Sequence, residues 1–286
     1  MISDITLGQF FPGYSLIHKL DPRSKILIAT AFIVAVFIAN NPASFMLLTL
    51  VAMTLVFVSR ISFAVVFKGI KPIILIVVIT ALINVFMTGG DGEPLLSFWI
   101  ISVYEEGIVR AVFMALRVIV LIIGTSILLT YTTSPISLTD GLESLLSPLK
   151  VIKVPVHTFA MMMSIALRFI PTLVEETEKI MNAQKSRGAD FSSGGLIKRA
   201  KSLIPILIPL FVSSFKRAEE LAVAMESRCY RGDKNRTKLV KLQYRGLDIA
   251  FFALTLLFVA ALLTIVILPD KLELSGVIFD ILFYKM

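Results

Sequence analysis

Residues 26–59 read ILIATAFIVAVFIANNPASFMLLTLVAMTLVFVS, a stretch without one charged side chain, interrupted only by Asn40-Asn41-Pro42. Asn and Pro at that point are turn formers, so the stretch predicts two helices, 26–39 and 43–58, joined as a tight hairpin. At 1.5 Å per residue each reaches only about 21–24 Å of the roughly 30 Å hydrocarbon core of a bilayer. Their ends must therefore extend or pack inside the protein. Further along, residues 72–90 are uncharged and close in Gly89-Gly90-Asp91-Gly92, which predicts a third span and a turn. Residues 118–139 are uncharged as well; with Arg110 and Arg117 near the start, a fourth span falls within 108–131, its arginines snorkelling or facing other helices. Residues 249–269 make a fifth.

The whole composition agrees with this reading. Of 286 residues 57% are hydrophobic and 17% charged, with a mean hydropathy of +0.88. A soluble domain is about 45–50% apolar and about 25% charged, so the surplus would leave large apolar patches in water. The single cysteine, Cys229, forms no intrachain disulfide, and His18 and His157 alone cannot build a Cys/His zinc cluster. The segment before Lys25 opens Met1-Ile2-Ser3-Asp4 without positive charge, unlike a secretory signal peptide.

Charge then orients the chain. Lys and Arg exceed Asp and Glu by 8, and residues 140–248 alone hold 18 basic and 11 acidic residues. Lys19, Arg23 and Lys25 precede the first span; Arg60, Lys68 and Lys71 mark loop 59–72; loop 88–107 carries only Asp91, Glu93, Glu105 and Glu106. By the positive-inside rule the N-terminal segment 1–25 is cytosolic, 26–131 holds about four spans, 132–248 is cytosolic, 249–268 spans, and the tail 269–286 lies outside. The expected fold is an all-α integral membrane protein of about five transmembrane helices plus long cytosolic amphipathic helices.

Within 132–248, residues 154–167 and 202–215 are each uncharged, and each runs into a charge-rich helical stretch, 175–185 and 216–226, with i,i+4 pairs such as Glu175 with Lys179. Two long amphipathic helices follow, lying along the inner face or under the bundle, the second kinked by Pro205 and Pro209. The alternative is that both runs are re-entrant or spanning helices. A shorter amphipathic piece, 138–149, ends at Pro148.

Chemistry-bearing motifs are absent from the string. No glycine is followed by lysine, which removes the P-loop, and H-E-x-x-H, G-x-S-x-G and G-x-G-x-x-G do not occur. The reading is a non-enzyme that needs no cofactor and no metal. His18 suits a hydrogen-bonding or capping role, and Cys229 an inert one. The basic residues of 140–248 interleave with acidic ones and lack an aromatic ladder, which argues against nucleic acid and suits accessory contact with anionic lipid.

An internal repeat stands out instead. Glu178, Ala183, Ser186 and Arg187 match Glu219, Ala224, Ser227 and Arg228 at a constant offset of 41, so both helices finish in E-x-x-x-x-A-x-x-S-R. One such arginine only complements a helix dipole. Two matched helix ends favour docking, because a guanidinium makes bidentate bonds to a carboxylate in a partner's groove, and suggest two similar partner subunits.

Three strings carry a family likeness: Gly8-Gln9-Phe10-Phe11-Pro12-Gly13-Tyr14-Ser15-Leu16-Ile17-His18-Lys19-Leu20-Asp21-Pro22-Arg23-Ser24-Lys25; Arg168-Phe169-Ile170-Pro171 through Ala183-Gln184-Lys185-Ser186-Arg187-Gly188-Ala189-Asp190; and Ala224-Met225-Glu226-Ser227-Arg228-Cys229. Over about residues 8–237 the chain resembles EcfT, the transmembrane T component of energy-coupling factor (ECF) transporters, with Asp21-Pro22-Arg23 in its N-terminal signature. The resemblance implies a membrane scaffold joining two ABC-type ATPases to one membrane S component that captures a vitamin or similar micronutrient. It implies coupling helices whose Ala-Arg-Gly-like ends, here Ser186-Arg187-Gly188 and Ser227-Arg228-Cys229, dock into the ATPases. Ser replaces Ala in both, and Cys229 replaces the glycine that most easily takes a left-handed turn. ATP-driven closure of the ATPases would then move the two ends relative to each other. The apolar runs, with Met161-Met162-Met163 and the Pro205 and Pro209 region, would face the S component. A dedicated cobalt or nickel importer and a self-sufficient secondary transporter are the alternatives.

Overall fold

The computed structural model describes residues 10–89, 96–98, 101–189, 191, 195–230, 232 and 242–267. Gly8 and Gln9 of the N-terminal string, the turn residues Gly90, Asp91 and Gly92 with Glu93, Asp190 and the tail from residue 268 on lie outside these. Among the described residues the chain forms α1 (Pro22–Ile38), α2 (Pro42–Ser59), α3 (Phe63–Met87), a two-stranded antiparallel hairpin of β1 (Leu96–Phe98) and β2 (Ile101–Val103), α4 (Glu105–Thr125), α5 (Pro135–Leu146), α6 (Val156–Ser186), α7 (Leu196–Ser227) and α8 (Gly246–Ile267). A π-helical turn, Ser126–Tyr131, prolongs α4, and a 3-10 turn, Ser147–Ile152, follows α5.

The Asn40-Asn41-Pro42 turn falls where the sequence puts it. Pro42 opens α2 at a position whose N–H has no helical partner, and Ser44 Oγ accepts from the Asn41 N–H at 3.1 Å. The third helix differs from expectation: it begins at Phe63, so Lys68 and Lys71 stand exposed on its first turns instead of in a loop, and it continues through Pro72. The hairpin, paired Leu96 with Val103 and Phe98 with Ile101, was not anticipated.

Five helices among the described residues are long and apolar enough to cross a membrane: Pro42–Ser59, Phe63–Met87, Glu105–Tyr131, Val156–Ser186 and Gly246–Ile267. The number equals the expected count but the membership does not. α1 has 17 residues and falls short, whereas α6 qualifies because its first half carries Arg168 as its single charge. The chain is a multi-helix membrane protein.

Two compact units divide the chain, one of residues 10–134 with 242 onward and one of Pro135–Lys241. In the first, α4 packs on α1, α2 and α3, and α8 packs on α1 and α2. Its core holds Phe32, Ala35, Val36, Leu48, Ala52, Val120 and Leu262, and a second cluster joins Ile17, Leu20, Ala29, Val56, Ile127 and Tyr131. In lipid, apolar helices gain little from mere burial, so close van der Waals fit and satisfied polar groups hold them together. Small residues permit that fit. A Cβ added at Gly124 would come within 2.2 Å of the Phe32 ring, which stacks on Phe258 at 6.5 Å, and one added at Gly69 would meet the Tyr131 hydroxyl. In the second unit, α6 packs against both α5 and α7.

Gly124→Val is expected to cost about 1–3 kcal/mol by overpacking, and Phe32→Ala in the same chain should recover part of it. Thermal unfolding in detergent checks this: additive losses in the double variant would show that the two positions do not meet.

Candidate functional site

The two long helices of the second unit end alike. At the end of α6 the Ala189 N–H donates to the Gln184 carbonyl (3.0 Å) and the Gly188 N–H to that of Lys185 (2.9 Å), with Gly188 at φ +87°. At the end of α7 the Tyr230 N–H donates to the Met225 carbonyl (3.1 Å) and the Cys229 N–H to that of Glu226 (2.9 Å), with Cys229 at φ +55°. Both patterns are Schellman motifs, which satisfy the last helical carbonyls through a left-handed residue. Cys229 therefore adopts the turn that glycine makes most easily. In each end the serine turns its hydroxyl back onto its own helix, Ser186 to Asn182 and Ser227 to Val223, and leaves the arginine at the tip. Ser186, Arg187 and Gly188, like Ser227, Arg228 and Cys229, are exposed.

Two contacts fix how these helices pair. Glu176 of α6 accepts from Ser213 Oγ (3.0 Å) and forms an ion pair with Arg217 of α7. Those hydrogen bonds, from Ser213 first and then Arg217, hold the Glu176 carboxyl below the usual carboxylate range. The Tyr230 hydroxyl, just past α7, donates to Met161 Sδ near the start of α6 at 3.1 Å. As the α6 number falls, the α7 number rises, so the pair is antiparallel. Arg187 and Arg228 thus lie at opposite ends of it, about 39 Å apart along α6 at 1.5 Å per residue.

Between the tips runs an apolar surface. Leu207, Ile208, Phe211 and Phe215 of α7 are exposed, as are Met162 and Met163 of α6, while Met161 is partly covered. Pro205 and Pro209 are exposed on α7, which stays helical through both. His157, at the start of α6, bonds Glu143 of α5 at 2.9 Å.

The N-terminal string occupies the first unit. His18 Nε2 donates to the Phe11 carbonyl (2.9 Å), leaving Nδ1 to accept from Ser15 Oγ (2.7 Å), the hydrogen-bonding role expected of it. Asp21 caps α1 by accepting from the Arg23 N–H at 2.9 Å, and Pro22 takes the first helical position. Lys25, 2% exposed, donates through Nζ to the Thr132 carbonyl (2.7 Å) and to Thr133 Oγ1 (3.1 Å). A groove of about 510 Å³ between α2 and α4 is lined by apolar side chains such as Phe45, Met46, Val112 and Phe113, with Thr49 its one polar residue. Among the described residues no three His, Cys, Asp or Glu side chains gather into a metal site.

The chain matches the profile of the CbiQ family, described as cobalt transport protein, over residues 13–239. It is 56% identical over 248 residues to the energy-coupling factor transporter transmembrane protein EcfT of Clostridium kluyveri, covering 87% of this chain and 92% of that protein. It is 49% identical over 263 residues to EcfT of Bacillus subtilis, covering 92% and 98%. The chain belongs to the CbiQ/EcfT family. In this family member the two helix ends and Asp21-Pro22-Arg23 all fall inside the matched region.

Sequence reasoning missed Glu176, Arg217, Tyr230 and Asp248 as partners across the fold. Glu176 and Arg217 lie in the charge-rich stretches 175–185 and 216–226, where nothing in the string singles them out as a pair; Lys25 and Asp248 read only as span boundaries, because burial of a charge is invisible in a string.

Cys229 in the left-handed region is strained relative to glycine by about 1 kcal/mol. Cys229→Gly should raise the unfolding midpoint slightly, and Gly188→Val should lower it by more, as read by thermal unfolding in detergent; equal behaviour of the two substitutions would mean that the turns differ.

Proposed function

We propose that the chain is the coupling scaffold of an ECF importer: the tips Ser186-Arg187-Gly188 and Ser227-Arg228-Cys229 each engage one of two ABC-type ATPases, and the apolar surface between them meets one membrane S component. The observation that carries this is the twin Schellman end. Two helices with the same hydrogen-bond pattern, each presenting an exposed arginine at its tip and set about 39 Å apart, suit two copies of one kind of socket. Arginine suits it chemically, since its planar fork pairs with a carboxylate in two bonds at once. Hydrolysis of ATP belongs to those partners, the chain itself having no P-loop.

The positive-inside count supports a cytosolic N-terminus, spans within 26–131 and at 249–268, a cytosolic 132–248, and an outer tail 269–286. α6 is long enough to cross a membrane, but we read it as cytosolic because its second half carries the Glu176–Arg217 pair and its tip is exposed. The plasma membrane, with anionic lipid against the basic 140–248 segment, is the setting that fits. We infer a vitamin or similar micronutrient as the cargo class, which is what the sequence's resemblance implies. The family profile's description, cobalt transport protein, favours a second reading in which the S component handles a metal ion.

Arg187→Glu together with Arg228→Glu should abolish co-purification of P-loop ATPases from the native membrane while the chain still inserts, with each single variant weakened. Mass spectrometry of the wild-type isolate names the S component and so separates vitamin from metal cargo. Undiminished ATPase recovery with the double variant would remove the docking role.

A further inference from the structure

The chain leaves the membrane unit after residue 134 and re-enters it at residue 242, so residues 132–134 and 242–244 are where the two connectors join that unit. One turn of sequence holds both. Lys25 Nζ binds the Thr132 carbonyl and Thr133 Oγ1, immediately before the exit. Arg23 Nη2 donates to the Leu242 carbonyl (3.2 Å), and its guanidinium lies 5.3 Å from the centre of the Tyr244 ring, immediately after the re-entry. The fully buried Asp248 carboxylate ties the same place together, accepting from the Asp21 N–H (2.8 Å) and from the Arg245 N–H (2.8 Å).

Burying a lysine and an aspartate is unfavourable unless their hydrogen bonds are satisfied, and apolar packing would hold a helix bundle with less penalty. Here their hydrogen bonds go to backbone atoms and to a threonine of the connectors, where position rather than packing is at stake. The geometry points to Asp21, Arg23 and Lys25 as a clamp that fixes both connectors to the membrane unit, so that displacement of α6 and α7 is transmitted to that unit instead of being lost in slack chain. These are positioning residues, and their role rests on the coupling function proposed above. The clamp also gives the signature Asp21-Pro22-Arg23 a physical purpose, since Asp21 caps α1, Pro22 starts it, and Arg23 emerges from its first turn toward Leu242.

The test uses the full chain with its co-purifying proteins in lipid nanodiscs, in a Cys229→Ser background. Spin labels at exposed Phe57→Cys and Ala218→Cys report the distance between units, and labels at Phe57→Cys and Leu257→Cys report within the membrane unit. Arg23→Gln and Lys25→Met should broaden the inter-unit distance distribution about twofold, the slack expected of a hinge without its restraint, and leave the intra-unit distribution at its wild-type width. Arg23→Lys, which keeps a donor for Leu242, should fall between. If Lys25→Met disturbs folding, the intra-unit pair broadens too, and Arg23→Gln, whose side chain is 21% exposed, decides. Unchanged inter-unit width in Arg23→Gln, or equal broadening of both pairs, would overturn the clamp. Magnesium-ATP should shift the inter-unit distance in the wild type and not in Arg23→Gln. Absence of that shift in the wild type would count against the coupling function, while the widths would still judge the clamp.

Discussion

A backbone carbonyl or amide that leaves a helix inside a lipid-facing bundle has no water to bond, and each one left bare costs several kcal/mol. This chain answers that constraint with charged and amide side chains that reach across the fold to the ends of other helices. Arg117 of α4 donates to the Ala39 carbonyl at the end of α1 (2.7 Å), its guanidinium 5.3 Å from the centre of the Phe45 ring. Lys25 of α1 bonds the Thr132 carbonyl beyond α4, and Asp248 of α8 accepts from the amide that precedes α1. Asn41 in the first turn donates to the Ile265 carbonyl of α8 at 3.4 Å. These bonds join residues 78 to 227 positions apart in sequence, so the bundle's register is set by polar closures while the apolar side chains fill the volume between them.

The second unit is held differently. Its helices close their own ends with local Schellman turns, so nothing from elsewhere in the chain is needed at the tips. That frees Arg187 and Arg228 to face outward. What α6 and α7 take from each other is alignment: the Glu176–Arg217 pair and the Tyr230–Met161 contact hold them antiparallel and so keep the tips apart. Prolines at 171, 205 and 209 remove main-chain donors inside both helices, yet both stay continuous.

Much of this was legible in the string because it depends on local chemistry. An uncharged run broken by Asn-Asn-Pro gives a helical hairpin, and the break between α1 and α2 falls at those residues. The repeated E-x-x-x-x-A-x-x-S-R ends give two equivalent helix termini, and both are. What could not be read depends on distance in sequence. Lys68 and Lys71 suggested a loop because charge is a poor guide where a helix emerges from the membrane; there the lysines stand exposed on α3. The membership of the apolar helices shifted for a related reason. A hydropathy run ends at the first charge, but a helix does not, so α6 starts inside the uncharged 154–167 run and continues past Arg168 to Ser186, 31 residues in all. Lys25 and Asp248 read as the edges of spans, and only the folded chain shows them as the most buried charges among the described residues.

Cys229 illustrates how a local penalty is tolerated when the surrounding bonds over-determine a turn. A non-glycine residue at φ +55° is disfavoured by its Cβ. The same turn lets the Cys229 and Tyr230 amides cap α7 and sends the Tyr230 ring back to Met161. Had α7 ended in an extended residue instead, both carbonyls would need water, Tyr230 would point elsewhere, and the antiparallel pairing would lose its far contact. The left-handed turn thus sets the direction of the chain after α7 and, through Tyr230, the separation of the two arginine tips; the residue that occupies it matters less than the hydrogen bonds it closes.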